Sequence, residues 1–455
     1  MTIIRADHAL LPSGWARGVC VQIGADGRIA AVQTNRTAAA THTVDLLLPA
    51  PANVHSHAFQ RAMAGLSEAR GEGGKDSFWT WRRLMYRFLG QLDPDQVEAI
   101  AAFVQMEMLE AGYATNVEFH YLHHGPDGTP YDHLAEMAER IAAAAATSGI
   151  GLTLLPVHYQ FGGCDRRPLA DGQRRFGNDP DRFERLVAES HAALGALPTD
   201  ARLGVAPHSL RAVDPEGLSR TVAVAEDGPV HMHLAEQQAE VDEVQAAHGQ
   251  RPVAWLLDNA EVSARWCLIH CTQMTPEETR ALAATGATAG LCPITESNLG
   301  DGTFDGTRWS EAGGAIAVGS DSNIRISLAE ELRTLEYSQR LRDRNRAVLA
   351  SPERSTGRYI FDAVCAGGAQ AAGRESGAIQ PGAWADLVAL DTGHPDMAGV
   401  TGDGLLDMHI FAGDDRAVRD VWTGGRHVVR QGRHIHRDEI QRAYASAIVQ
   451  LRDKL

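Results

Sequence analysis

Eight short apolar runs recur through the middle of the chain, each followed by a longer span that carries helix-start signals. The runs are Val44–Val54, Ala114–Tyr121, Gly151–His158, Ala201–Ala206, Pro229–Leu234, Trp266–His270, Ala287–Cys292 and Gly314–Ser320. Between them, Asp93-Pro94, Asp179-Pro180 and Asp214-Pro215 place a side-chain acceptor ahead of a proline at the first helical position. Thr275-Pro-Glu-Glu278 and Ser327-Leu-Ala-Glu330 have capping-box spacing. Glu98–Glu110 and Ala135–Ala146 are rich in strong helix formers. Strands that alternate with helices pair in parallel, and eight such units predict an α/β fold closed as a (β/α)8 TIM barrel. The span from residue 55 to residue 321 is close to the ~250 residues typical of that barrel.

The two ends follow a different pattern. Residues 1–43 contain short alternating segments and a turn at Ala25-Asp26-Gly27. Residues 380–434 contain Pro381-Gly382 and the strand-like stretches Ala385–Asp391 and Val418–Gly425. Both ends are expected to meet in one small β-sandwich domain. The expected division is residues 1–48 and 376–435 for that split domain, 49–375 for the barrel, and 436–455 for a closing helix.

Four of the apolar runs end in metal-ligand chemistry. The first ends in His55-Ser-His57, and side chains two apart on a strand project to one face. The fifth run carries His231 and His233, with Glu236 three residues on; the sixth ends in His270; the eighth leads into Asp321. Unpaired imidazoles and carboxylates buried at strand ends would cost several kcal/mol each. Ligation of one divalent ion removes that cost, and zinc suits an imidazole and carboxylate set. Iron or manganese also fits such a site.

Charge and cysteine content narrow the class further. A formal net charge of -16 argues against nucleic-acid binding, which needs a basic footprint. The six cysteines are scattered with no CxxC pair, as in reduced, cytoplasmic proteins. Arg5, Asp7 and His8 interrupt what would be the apolar stretch of a signal peptide. No run approaches 18 apolar residues, so no membrane span and no membrane partner is expected.

With His55 and His57 on the first strand, His233 on the fifth, His270 on the sixth and Asp321 on the eighth, the chain resembles the amidohydrolase superfamily. The resemblance extends over nearly the whole chain. No lysine or glutamate ends the fourth strand to bridge a second ion; that strand runs instead into Pro207-His-Ser-Leu-Arg211. Val54–Gly65, Trp79-Thr-Trp-Arg82, Pro207–Arg211 and His231–Glu236 are similar to the branch of that superfamily that deiminates N-formimino-L-glutamate.

The resemblance implies one divalent ion per subunit, zinc first, held by His55, His57, His233 and Asp321. It implies catalytic roles for Glu236, His270 and Asp321, with His270 a further candidate ligand. A substrate with two carboxylates calls for arginine, whose planar fork matches a carboxylate. Arg82 and Arg211 are the expected partners, joined by Gln60, Tyr121 and His208. Arg83 lies beside Arg82 as an alternative, and the aromatic stretch Phe78–Phe88 suits a lid or a packing helix. His231, deeper in the barrel, suits a structural hydrogen bond, and Cys271 a buried inert thiol. A homodimer is what the resemblance implies. The rival readings are a nucleobase aminohydrolase with the same metal centre and, more remotely, a binding protein without catalysis.

Overall fold

The computed structural model describes residues 2–34, 39–68 and 78–453, with the side chains of residues 78–80 left aside. The chain opens with β1 (Thr2–Leu11), β2 (Gly14–Ile23), β3 (Ile29–Thr34) and β4 (His42–Pro49). Next come the barrel strands β5 (Ala52–Ser56), β6 (Thr115–His120), β7 (Gly151–His158), β8 (Arg202–Leu203), β9 (Ala206–Pro207), β10 (Val230–Leu234), β11 (Trp266–His270), β12 (Thr288–Leu291) and β13 (Ala315–Val318). The chain then returns through β14 (Leu387–Leu390), β15 (Val418–Thr423), β16 (Arg426–Arg430) and β17 (Arg433–His434).

Strands β5 to β9 form one parallel sheet and β10 to β13 another. Single bridges join the two at both seams, Val205 to Val230 and Ser56 to Asp321, which closes the barrel. The eight positions coincide with the eight runs, with two adjustments. The run Val44–Val54 is two strands, because the ladder stops at Ala50 and Pro51: β4 pairs with the terminal strands and β5 opens the barrel. The fourth position consists of two two-residue pieces, β8 and β9, which pair with β7 at separate places.

The terminal strands form one eight-stranded sheet in the order β17-β16-β15-β14-β4-β1-β2-β3. Ile29 N–H donates to Ala383 O and Ala385 N–H to Gly27 O, so the β2–β3 turn is tied back to the start of β14. The sheet thus curls over its own apolar face, where Ile4, Val21, Val44, Leu387 and Trp422 belong to a core separate from that of the barrel. A buried cluster fastens this sheet to the barrel. The Arg374 guanidinium bonds both Asp386, ahead of β14, and Asp200, ahead of β8, and Arg426 of β16 reaches Asp200 as well.

The helix starts obey the local signals. Asp93, Asp179 and Asp214 each accept the backbone N–H three residues on, and Thr275 and Glu278 form the full capping box. Ser327 caps its helix, but the Glu330 side chain pairs with Arg325 and leaves the box half made. The closing helix runs Arg437–Arg452. Residues 69–77 of the segment after β5 lie outside the described residues; its remainder forms a short 3-10 turn at Ala58–Met63 and the helix α1 (Phe78–Leu89). No described helix is long and apolar enough to cross a membrane.

Candidate active site and metal centre

The C-terminal ends of the barrel strands open onto a cavity lined by His57, His233, Glu236, His270 and Asp321 on one side and Arg82 and Arg211 on the other. Its position follows from the fold, since strand ends and the loops after them form the site in such barrels. Bridging of Ser56 to Asp321 places the first and last strands side by side, and this is what assembles the histidine cluster. Asp321 N–H donates to His55 O and His57 N–H to Asp321 O, each at 2.9 Å. Gly319 allows this approach: a Cβ there would meet His55 N at 2.6 Å and His55 O at 2.8 Å. Asn53, Ser320, Asn323 and Ser56 complete the seam through a run of buried side-chain hydrogen bonds.

His55 Nε2 lies 3.1 Å from His233 Nε2 and 3.6 Å from Asp321 Oδ1, and His57 Nε2 lies 3.3 Å from the same oxygen. His57 Nδ1 bonds Phe119 O and His233 Nδ1 bonds His208 O, each at 3.1 Å. With those nitrogens donating, both Nε2 lone pairs are left to converge on one point. His55, His57 and His233 have ligand atoms close enough to share an ion, as do His55, His270 and Asp321. Burial holds His57 down to about 3, and burial with neighbouring imidazoles holds His55 and His233 well below the ordinary histidine range. Neutral rings with free lone pairs are what a divalent ion requires. The donor set therefore fits such an ion.

Burial, with the Glu236 and Glu296 charges adding to it against the opposing His270, raises the Asp321 carboxyl to about 7. Burial works against a charged His270, but the carboxylates of Glu236, Glu296 and Asp321 outweigh it and push that ring well above the ordinary value. His270 Nε2 is 3.8 Å from Glu236 Oε1 and 3.7 Å from Asp321 Oδ2. Glu236 is fixed from behind, where Glu240 accepts the N–H groups of Ala235 and Glu236. Ala235, His270, Cys271 and Asp321 all have φ between 47° and 70°. Left-handed backbone at non-glycine residues is costly and concentrates where a site dictates side-chain direction.

Every residue singled out from the sequence for substrate contact lines this cavity: Gln60, Arg82, Tyr121, His208 and Arg211, with the Tyr121 hydroxyl between Gln60 and Met85. Gln60 Nε2 donates to Tyr121 Oη, and Gln60 Oε1 has no partner among the described residues. Arg82 donates to Tyr159 Oη at 3.0 Å and lies over the Tyr86 ring. Arg83 is exposed and does not line the cavity. Arg211 is buried at 8% exposure, and its Nε has no partner among the described residues. Burial and the two guanidiniums hold His208 well below its ordinary value, hence neutral. His231 turns away to Ala371 O, and burial pushes the Cys271 thiol well above its ordinary value.

Several site residues were not singled out from the sequence. Tyr159 follows β7 and Thr295 follows β12, both lining the cavity, with Glu296 next to Thr295; Trp81 and Tyr86, from the aromatic stretch Phe78–Phe88, line it from α1. Glu296 Oε1 meets His270 Nδ1 at 3.2 Å. The sequence motifs assign no role to the third and seventh strand ends, yet in a closed barrel all eight ends face one site. That symmetry was the available signal.

The chain matches the amidohydrolase family model over residues 46–428 and belongs to that family. Residues 1–43 match the model described as formimidoylglutamate deiminase HutF, N-terminal domain. The chain is 48% identical to a formimidoylglutamate deiminase of Pseudomonas aeruginosa, with all of both chains covered. A crystal structure of an amidohydrolase from Brucella melitensis superposes with a TM-score of 0.95 at 49% identity, covering 99% of this chain and 100% of that one. A zinc-bound adenosine deaminase from Xanthomonas campestris shares the fold, with a TM-score of 0.83 at 23% identity over 100% of this chain and 98% of that one.

Proposed function

We propose that this chain is a metal-dependent deiminase that hydrolyses N-formimino-L-glutamate to N-formyl-L-glutamate and ammonia, a step of histidine degradation. The observation that carries the reading is the pairing of two guanidiniums, Arg82 and Arg211, with the histidine and carboxylate cluster in one cavity. The substrate has the complementary layout, two carboxylates at one end and a cationic formimino group at the other. A nucleobase offers neither carboxylate, so the rival aminohydrolase reading leaves both arginines unexplained.

His55, His57, His233 and Asp321 would hold the ion, zinc in preference to iron or manganese for this donor set. When bound, a divalent ion supplies Lewis acidity that ionises water near neutral pH. Arg82 and Arg211 receive the two carboxylates in forked hydrogen bonds, and Gln60, Tyr121 and His208 orient the carbon chain. Such anchoring contributes to the rate by holding the formimino carbon over the reacting side. Water adds to that carbon, and Glu236 takes the proton it releases. His270 and Asp321 steady the developing charge from the opposite side. Glu236 then returns the proton to the formimino nitrogen, the hydroxyl proton passes to the Asp321 carboxylate, and the C–N bond breaks as the C=O bond forms and ammonia leaves. The proton left from the cationic substrate departs with the ammonia as ammonium, so cation and water in, formyl product and ammonium out balance the equation.

The absence of paired cysteines supports a cytoplasmic enzyme, and the amidohydrolase resemblance supports a homodimer. Ammonia release from N-formimino-L-glutamate, compared with guanine and cytosine and with and without a chelator, tests the reading. Faster turnover of the bases, or activity that survives full removal of the metal, would overturn it.

A further inference from the structure

His270 is approached by carboxylates on both ring nitrogens. Its Nε2 faces Glu236 and Asp321 at 3.8 and 3.7 Å, on the cavity side. Its Nδ1 faces Glu296 Oε1 at 3.2 Å, behind the cavity wall. Glu296 belongs to the short helix Pro293–Leu299 that follows β12, and it is buried. The same oxygen accepts the Cys292 N–H at 2.8 Å, so the carboxylate is tethered to the strand end and does not adapt freely.

The backbone leaves this ring in need of a second hold. His270 and Cys271 have φ of 70° and 53°, which sets the direction of the Cα–Cβ bond but not the rotation of the ring about Cβ–Cγ. Half a turn of an imidazole exchanges nitrogen for carbon on each side. An acceptor at Nδ1 removes that ambiguity, leaves Nε2 as the atom that meets the reacting side, and fixes where the Nδ1 proton resides. Glu296 is the group that bonds Nδ1.

We infer that Glu296 is a positioning residue for the deimination: by accepting from His270 Nδ1–H it fixes the ring with Nε2 directed at Glu236, Asp321 and the reacting carbon. The inference rests on the deiminase reading for its reaction, but its geometry does not depend on the substrate. The competing role is that of a plain helix-start residue serving only Cys292 N–H. The two roles diverge in the ring itself: shortening or removing the acceptor frees His270 if Glu296 positions it, and leaves the ring in place if Glu296 serves only Cys292 N–H.

Glu296→Gln keeps an oxygen at the same reach, able to accept from both Cys292 N–H and His270 Nδ1–H. Glu296→Asp keeps the charge but draws the acceptor back by one C–C bond, about 1.5 Å. Glu296→Ala removes it. Crystal structures of the full-length, metal-loaded proteins read the ring orientation, metal analysis reads the ligand set, and ammonia release reads kcat and KM. Gln should hold the ring and lose clearly less in kcat than Asp, since only the charge of the acceptor is gone. Asp and Ala should let the ring rotate and lose about 10- to 100-fold in kcat, with KM and metal content unchanged. If Ala fails to fold, the contrast between Asp and Gln decides. A ring unmoved in Asp or Ala overturns the inference, as does a rotated ring with undiminished kcat, or a loss in Gln equal to that in Asp. Should the unaltered protein release no ammonia, the substrate reading fails, while ring orientation in the variants still decides whether Glu296 positions His270.

Discussion

Asp321 donates its backbone N–H to the carbonyl of His55 at 2.9 Å, so the last barrel strand is stitched to the first at the residues whose side chains form the candidate metal centre. Ligand geometry here is a property of barrel closure as much as of the side chains. Disturbing the seam should therefore disturb metal affinity without touching a ligand.

Gly319→Ala tests this. The added Cβ would fall on His55 backbone atoms, which cannot swing aside as a flexible side chain would. Overpacking of this kind typically costs about 1–3 kcal/mol. Urea unfolding should show that loss, and metal analysis should show weaker retention of the ion than in the unaltered protein. Unchanged stability and metal content would mean that the strands separate more easily than this packing implies.

Glu236→Gln keeps the size of the side chain and removes its proton transfer. Ammonia release should fall by about 100-fold or more, as for loss of a general acid–base group. Metal content should stay normal, because Glu236 is outside the ligand groups. Retained turnover would remove Glu236 from the proton path.

Arg211→Met should act on substrate capture. A charge-assisted hydrogen bond is worth about 1.5–3 kcal/mol, so kcat/KM for a dicarboxylate substrate should drop by at least tenfold. An analogue lacking the α-carboxylate or the side-chain carboxylate should lose less in this variant than in the unaltered protein. Arg83→Met, altering an exposed side chain, should leave kinetics unchanged.

Acid stability should depend on the cluster that fastens the terminal sheet to the barrel. Burial alone would raise the Asp200 carboxyl, but Arg426 and Arg374 outweigh it and hold it below the usual range. A depressed carboxylate contributes stability above its unfolded value, near ~3.9, and loses it as pH falls through the folded value. The stability gap between the unaltered protein and Asp200→Asn should therefore be widest near neutral pH and shrink below about pH 4. Urea titrations at pH 7, 5 and 3.5 would check this, and a gap that is constant with pH would refute it.

The barrel and the histidine cluster were legible because both rest on local pattern. Two-residue spacing puts His55 and His57 on one face of a strand, and the apolar run before His270 marks a strand end. Short range also explains what was missed. Pro49-Ala-Pro51 marks a break in Val44–Val54, but nothing local shows that the two halves belong to different sheets. The reach of Glu296 to His270 spans two strand ends and depends on a left-handed backbone at His270 that the surrounding sequence does not announce. Gly319 looks like any strand-end glycine until His55 is placed beside it.

The two seams of the barrel carry one bridge each, and the candidate ligands come from both sides of the cut: His55 and His57 from one sheet, His233 and Asp321 from the other. An ion held among them would rivet two half-barrels together. Its withdrawal should loosen amide protection along the Ser56–Asp321 edge while the interior of each half keeps its own ladder.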